Sequence, residues 1–90
     1  MESTWYVYLL RCADGSLYCG ATSDPARRLA EHNAGTASKY TRSRLPVELA
    51  ACVPRAGKGA ALRLELAVKR LPTKRKIAAL LAAQHEQEEE

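Results

Sequence analysis

Three features of the sequence predict a small α+β domain. They are an aromatic, alternating N-terminal stretch, a second apolar run past mid-chain, and three segments with apolar residues at helical spacing. The first stretch, Trp5 to Gly20, reads as two strands, Trp5–Cys12 and Leu17–Ala21, around a turn signalled by Asp14-Gly15. The second, Val47–Val53, reads as a third strand closed by Pro54. The helical segments are Pro25 to about Ala34, Ala60 to about Leu71 and Lys74 to about Gln84. A chain of 90 residues makes one domain with a modest core, here residues 1–85, followed by an acidic tail at 86–90.

The turn decides where the tyrosines fall. A two-residue loop at Asp14-Gly15 pairs Cys12 with Leu17 and puts Tyr8 and Tyr18 on opposite faces. A three-residue loop, Ala13-Asp14-Gly15 with Gly15 left-handed, pairs Cys12 with Ser16. Tyr8 then faces Gly20, Leu10 faces Tyr18, and both phenols share one face. The bulged register also gathers Trp5, Val7, Leu9, Leu17, Cys19 and Ala21 on the other face, which is strongly apolar. The two-residue register mixes Arg11 and Tyr18 into that set. A one-residue slip flips every side chain, so the apolar pattern selects the bulge. Two phenols on one face are by themselves ordinary strand aromatics, since Tyr favours strands and ionises only near pH 10.

The first helix starts at Thr22-Ser23-Asp24-Pro25, where Ser23 or Asp24 caps and Pro25 suits the first turn, and it stops at Gly35. Pro25 and Leu29 share its apolar stripe, extended by Ala26 and Ala30. Arg27 and Glu31 form an outward pair four residues apart. Arg28 and His32, also four apart, border the stripe and point along the sheet. Thr36 to Pro46 is a polar loop in which Lys39, Arg42 and Arg44 alternate with Tyr40, Thr41 and Ser43. That mixture suits a phosphate backbone, although a solvated basic loop has the same composition. Arg55-Ala56-Gly57-Lys58-Gly59 lacks the spacing of a phosphate loop and reads as a connection. Leu64, Ala67, Val68 and Leu71 make the inner face of the second helix, with Glu65 at its edge and Lys69 one turn on. Ile77, Leu80 and Leu81 do the same for the last helix, which begins after Pro72-Thr73.

Composition narrows the function classes. The apolar runs are too short to span a membrane, and no basic segment precedes a long apolar run as in a signal peptide, so a cytoplasmic location is expected. Three cysteines, Cys12, Cys19 and Cys52, without CxxC spacing are read as reduced thiols rather than a disulfide framework or zinc site. Formal net charge is +4, and it rises to +8 when Glu86, Glu88, Glu89 and Glu90 are set aside. A body this basic suits a polyanion, most often nucleic acid, though charge also serves solubility.

Taken in order, Tyr6-Val7-Tyr8, Tyr18-Cys19-Gly20, Arg28, His32 and Glu65 resemble the GIY-YIG nuclease superfamily, in particular its small stand-alone bacterial members. The loop Lys39–Val47 and the segment Thr73–Lys76 also look like that branch, so the resemblance covers nearly the whole chain except the tail. It implies a small three-stranded antiparallel sheet flanked by helices, and an endonuclease that hydrolyses phosphodiesters with one divalent metal, usually magnesium, with manganese as an alternative. It further implies a tyrosine as general base among the catalytic set Tyr8, Tyr18, Arg28 and His32. Glu65 would be the metal ligand and Gly20 a structural motif residue. Those roles suit in-line attack on phosphorus, which needs stabilised charge and an aligned water. The expected partner is DNA, with RNA as an alternative and with strand state rather than sequence being read. Lys39, Arg42 and Arg44 are the expected phosphate contacts. Three positions differ from the family pattern: Tyr6 replaces a glycine, Ala21 stands where some members carry lysine, and Asn33 is the sole asparagine. They motivate the alternative of a non-catalytic nucleic-acid-binding module.

Overall fold

Strands β1 (Thr4–Arg11), β2 (Leu17–Thr22) and β3 (Glu48–Ala56) form one antiparallel sheet in the order β2-β1-β3. The computed structural model describes residues 3–88, with side chains through residue 84. The hairpin has the bulged register: Tyr8 opposes Gly20, Leu10 opposes Tyr18, and Arg11 opposes Leu17. Gly15 takes φ 87°, a conformation that costs glycine little. The Cys12 N–H donates to the Ser16 carbonyl at 2.9 Å. Asp14 stiffens the turn by accepting from both the amide and the hydroxyl of Ser16, at 3.0 and 2.6 Å.

Helices α3 (Lys58–Lys69) and α4 (Thr73–Glu88) cover the apolar face of the sheet. Val7, Leu9, Cys19, Ala51 and Val53 pack there against Ala61, Val68 and Leu80. Helix α1 (Pro25–Asn33) and the single-turn helix α2 (Lys39–Arg42) contribute to the opposite face. There, a smaller cluster of Tyr8, Leu10, Cys12 and Val47 meets Tyr18 and Leu29. The Asp24 side chain caps α1 by accepting from the Arg27 amide, and Gly35 at φ 81° follows its end. Asn33 ties α1 to the approach to β3, its side chain exchanging hydrogen bonds of 2.9 and 2.8 Å with the backbone of Val47.

Several details depart from the sequence-based expectation. Strand β3 runs through Pro54 to Ala56, because an edge strand tolerates a residue with no N–H to donate. It also carries a bulge at Ala50, since Leu9 faces Ala51 while Leu10 faces Leu49. The glycine-rich connection is divided between that strand and α3, with Gly57 at φ 101° as the pivot. Part of the polar loop is helical, because the Ser38 side chain caps α2 by accepting from the Thr41 amide at 3.2 Å. Helix α4 continues past Gln84 to Glu88, so it crosses the expected boundary at 85/86; Glu89 and Glu90 lie outside the described residues. Ala67 and Leu81, expected to face inward, are exposed, because α3 and α4 present Ala61, Val68 and Leu80 instead. No helix among the described residues is long and apolar enough to cross a membrane.

Candidate active site

The site begins with one phenol. Tyr8 is 3% exposed and directly opposes Gly20. Its ring lies across that glycine, where a Cβ would overlap the phenol oxygen and come within 2.5 Å of Cζ. Gly20 is therefore required by close approach, since its backbone φ lies outside the left-handed range. The Tyr8 hydroxyl reaches Nε2 of His32 on α1 at 2.9 Å. His32 is fully buried, and its Nδ1 lies 2.8 Å from the Thr41 hydroxyl of α2, also fully buried. Burial pushes the Tyr8 phenol up to about 12, while the adjacent Arg28 guanidinium pulls it down. Burial also holds His32 below the usual imidazole range, and the positive charge of Arg28 adds to that. The resting pair is a neutral phenol on a neutral imidazole.

A column of rings leads from this pair to the surface. Tyr18 meets His32 edge-on at 5.1 Å between centroids, and Tyr40 lies against Tyr18 at 6.0 Å. Arg44 covers Tyr40, its guanidinium carbon 3.8 Å from the ring centre. The same guanidinium donates to Asp14 in the hairpin turn at 3.0 Å and to the Tyr40 carbonyl at 2.8 Å. Arg44 thus fastens α2 to the hairpin. Lys39 and Arg42 are exposed and form no ion pair among the described residues.

Arg28 and Arg27 both reach Glu31, at 2.9 and 3.1 Å. The Arg28 side chain is 38% exposed and that of Arg27 75%, so Arg28 is the one that faces the phenol. Both line a cleft of about 270 Å³ beside the β2–α1 turn, together with Trp5, Thr22 and Asp24. The two tyrosines do not line it. The Tyr8 hydroxyl instead points at His32 of α1, while Tyr18 is half-buried with its ring against His32 and Tyr40.

Glu65 approaches from the other side of the sheet. Its carboxylate is 16% exposed and 2.8 Å from Lys69. The pairing of Glu65 with Lys69 one turn later, the simplest reading of that spacing, is therefore present. Even so, the charge of Glu65 acts on Tyr8 and Cys19, and that of Lys69 on Cys19. Burial holds the Cys19 thiol near 11, which makes it a poor nucleophile. Among the described residues, no cluster of three or more His, Cys, Asp or Glu side chains could hold a metal ion. A lone carboxylate suits a hard cation that keeps most of its water, as magnesium does.

A family model described as the GIY-YIG catalytic domain matches residues 4–78, from β1 into the first turns of α4. The chain belongs to the GIY-YIG family. That makes it a member of a nuclease family. A UPF0213 protein of Nitratidesulfovibrio vulgaris is 49% identical over 79 residues, covering 88% of this chain and 72% of its own length. UPF0213 protein Reut_B5558 of Cupriavidus pinatubonensis is 50% identical over 78 residues, 87% of each chain. The solution NMR structure of protein EF2693 from E. faecalis superposes with a TM-score of 0.61 at 41% identity, over 91% of this chain and 90% of that one. That of the UPF0213 protein BH0048 from Bacillus halodurans gives 0.51 at 44% identity, over 81% and 78%.

Within the GIY-YIG frame, the fold brings Tyr8, Tyr18, Arg28 and His32 together and leaves Glu65 as an electrostatic neighbour across the β2 edge. Sequence reasoning missed Thr41, which was grouped with the loop's phosphate-binding hydroxyls. Its signal was Ser38 three residues earlier, a cap that marks a helical turn with an inner face. It also missed Asn33, which stands at the end of α1 and fixes the start of β3 rather than serving the site.

Proposed function

We propose that this chain is a metal-dependent endonuclease acting on DNA, reading strand state or shape rather than sequence. The observation that carries the reading is the buried Tyr8 hydroxyl 2.9 Å from His32 Nε2, with Arg28 alongside. Tyr8 is the general base. Its phenol proton passes to Nε2 of His32 as the phenolate oxygen takes one proton from the attacking water. Water oxygen bonds to phosphorus, the P–O bond to the leaving oxygen breaks and that oxygen is protonated from solvent, to which His32 then returns its extra proton. With the phenol near 12 and the imidazole below its usual range, this transfer is uphill at rest. It therefore accompanies the attack, when charge develops beside Arg28. Arg28 presents a planar fork of donors to the non-bridging oxygens, and phosphate would compete with Glu31 for it. Tyr18 walls the imidazole. Glu65 would hold a divalent cation, most fittingly magnesium, whose charge stabilises the phosphoryl oxygens when bound. Lys39 and Arg42 follow the backbone of the bound strand, and Arg44 positions their helix.

The test is wild type and Glu65→Gln incubated with labelled single-stranded, duplex and branched DNA, and with RNA, in magnesium, manganese or EDTA. Cleavage by wild type that needs metal and is lost in Glu65→Gln is the expected result. Retention of DNA without cleavage in any metal would replace it with the binding-module reading, which Ala21 and the burial of Tyr8 favour.

A further inference from the structure

We propose that Thr41 is a positioning residue: its side-chain oxygen accepts the Nδ1 proton of His32, leaving the Nε2 lone pair to receive the phenol proton of Tyr8. The three side chains form one buried line, Tyr8 hydroxyl to Nε2 at 2.9 Å and Nδ1 to Thr41 Oγ1 at 2.8 Å. Each end of the line fixes a direction. At one end, the Thr41 hydroxyl donates to the Ser38 carbonyl at 3.4 Å, and a carbonyl can only accept. Oγ1 is then left to accept from Nδ1. At the other end, Nε2 is the acceptor within hydrogen-bond distance of the buried Tyr8 hydroxyl, so the phenol proton goes to the imidazole.

The opposite tautomer fails at Tyr8. With the proton on Nε2, the imidazole would donate to the phenol oxygen. The phenol's own hydrogen would then have no acceptor at a site 3% exposed, and an unpaired buried donor is disfavoured. An imidazolium is disfavoured by burial and by Arg28. The groups facing His32 are Arg28 and Glu31 of its own helix, Tyr8 and Tyr18 of the sheet, and Thr41 of α2. Among them, Thr41 is the one that contacts Nδ1. Its placement also gives α2 two jobs on opposite faces, since Thr41 is buried while Lys39 and Arg42 are exposed.

The experiment reads the ring nitrogens by ¹⁵N NMR in wild type, Thr41→Ser and Thr41→Val, with His85→Gln to assign the chain's second histidine. Wild type and Thr41→Ser should carry the proton on Nδ1, and Thr41→Val, in which that N–H loses its acceptor, should become a mixture of the two tautomers. In single-turnover cleavage at saturating DNA, Thr41→Val should be roughly 10–100-fold slower, as when the partner orienting a functional imidazole is lost. DNA affinity should be unchanged, and Thr41→Ser should restore the rate. A protonated Nε2 in wild type, or an unchanged tautomer and rate in Thr41→Val, would overturn the proposal. Should Thr41→Val not fold, the wild-type nitrogens and the Thr41→Ser rate decide. The consequence for rate rests on the nuclease reading, but the tautomer does not. A wild type that cleaves nothing while carrying Nδ1–H sinks that reading and leaves the geometry standing.

Discussion

On one face of the sheet Val7, Leu9, Cys19 and Val53 meet the apolar residues of α3 and α4; one residue along each hairpin strand, Tyr8 and Tyr18 meet an imidazole, and Arg28 lies beside Tyr8. Both faces are buried, but they are held differently. The apolar face is non-directional, and its stability follows the area removed from water. The polar face is directional: Tyr8, His32 and Thr41 have no exposed side to hydrate them, so each must find a partner of the right sign. No buried side-chain nitrogen or oxygen among the described residues is left without one.

The comparison breaks first where packing is densest. Leu9→Ala, at a fully buried position between Cys19 and Ala51, should lower unfolding free energy by about 2–5 kcal/mol. Cleavage per folded molecule should stay near wild type. Denaturant melts paired with single-turnover rates check it, and a large rate loss in fully folded protein would mean that the faces are coupled.

Arg28→Ala should do the reverse, lowering cleavage by roughly 10²–10³-fold, as for loss of a preorganised donor, while the fold survives. Arg27→Ala removes the more exposed partner of the same Glu31 and should cost stability no more than about 1 kcal/mol, with little change in rate. Equal effects of the two on cleavage would refute the role given to Arg28.

The basic loop sharpens the contrast between binding and holding. If Lys39 and Arg42 follow phosphates, each alanine variant should reduce the log–log salt slope of DNA binding by about one unit. Arg44→Ala should weaken binding with a smaller change in slope, because Arg44 holds Tyr40 and Asp14. Slopes from titrations at several salt concentrations separate these outcomes.

The smallest effect is one of pH. His32 titrates below its ordinary value when folded, so between that depressed value and about 6.5 the unfolded chain binds the extra proton. Stability should therefore fall as pH drops through this window and level off below it. In His32→Asn that part of the pH dependence should vanish. Thermal melts of both proteins from pH 7.5 to 4.5 test it, and parallel curves would count against a depressed His32.

The sequence by itself determined the hairpin register and hence which residues share the phenol face. Asp14-Gly15 and the alternation of apolar residues are local signals, and a slip of one residue would have buried Arg11 with Tyr18. The ordered motif residues likewise placed the chain in its family. What the tertiary structure alone decided are contacts between segments distant in sequence. Arg44 was expected only as a phosphate contact, and the fold adds Asp14 beside it, thirty positions away. Glu31 looked like a partner for Arg27, yet helix geometry and the approach of the sheet let it hold Arg28 as well. Thr41 looked like one hydroxyl among several until capping by Ser38 turned it inward onto His32. Patterns of period and turn fix which way a side chain faces. Its partner is fixed only when desolvation leaves one hydrogen-bonding group within reach.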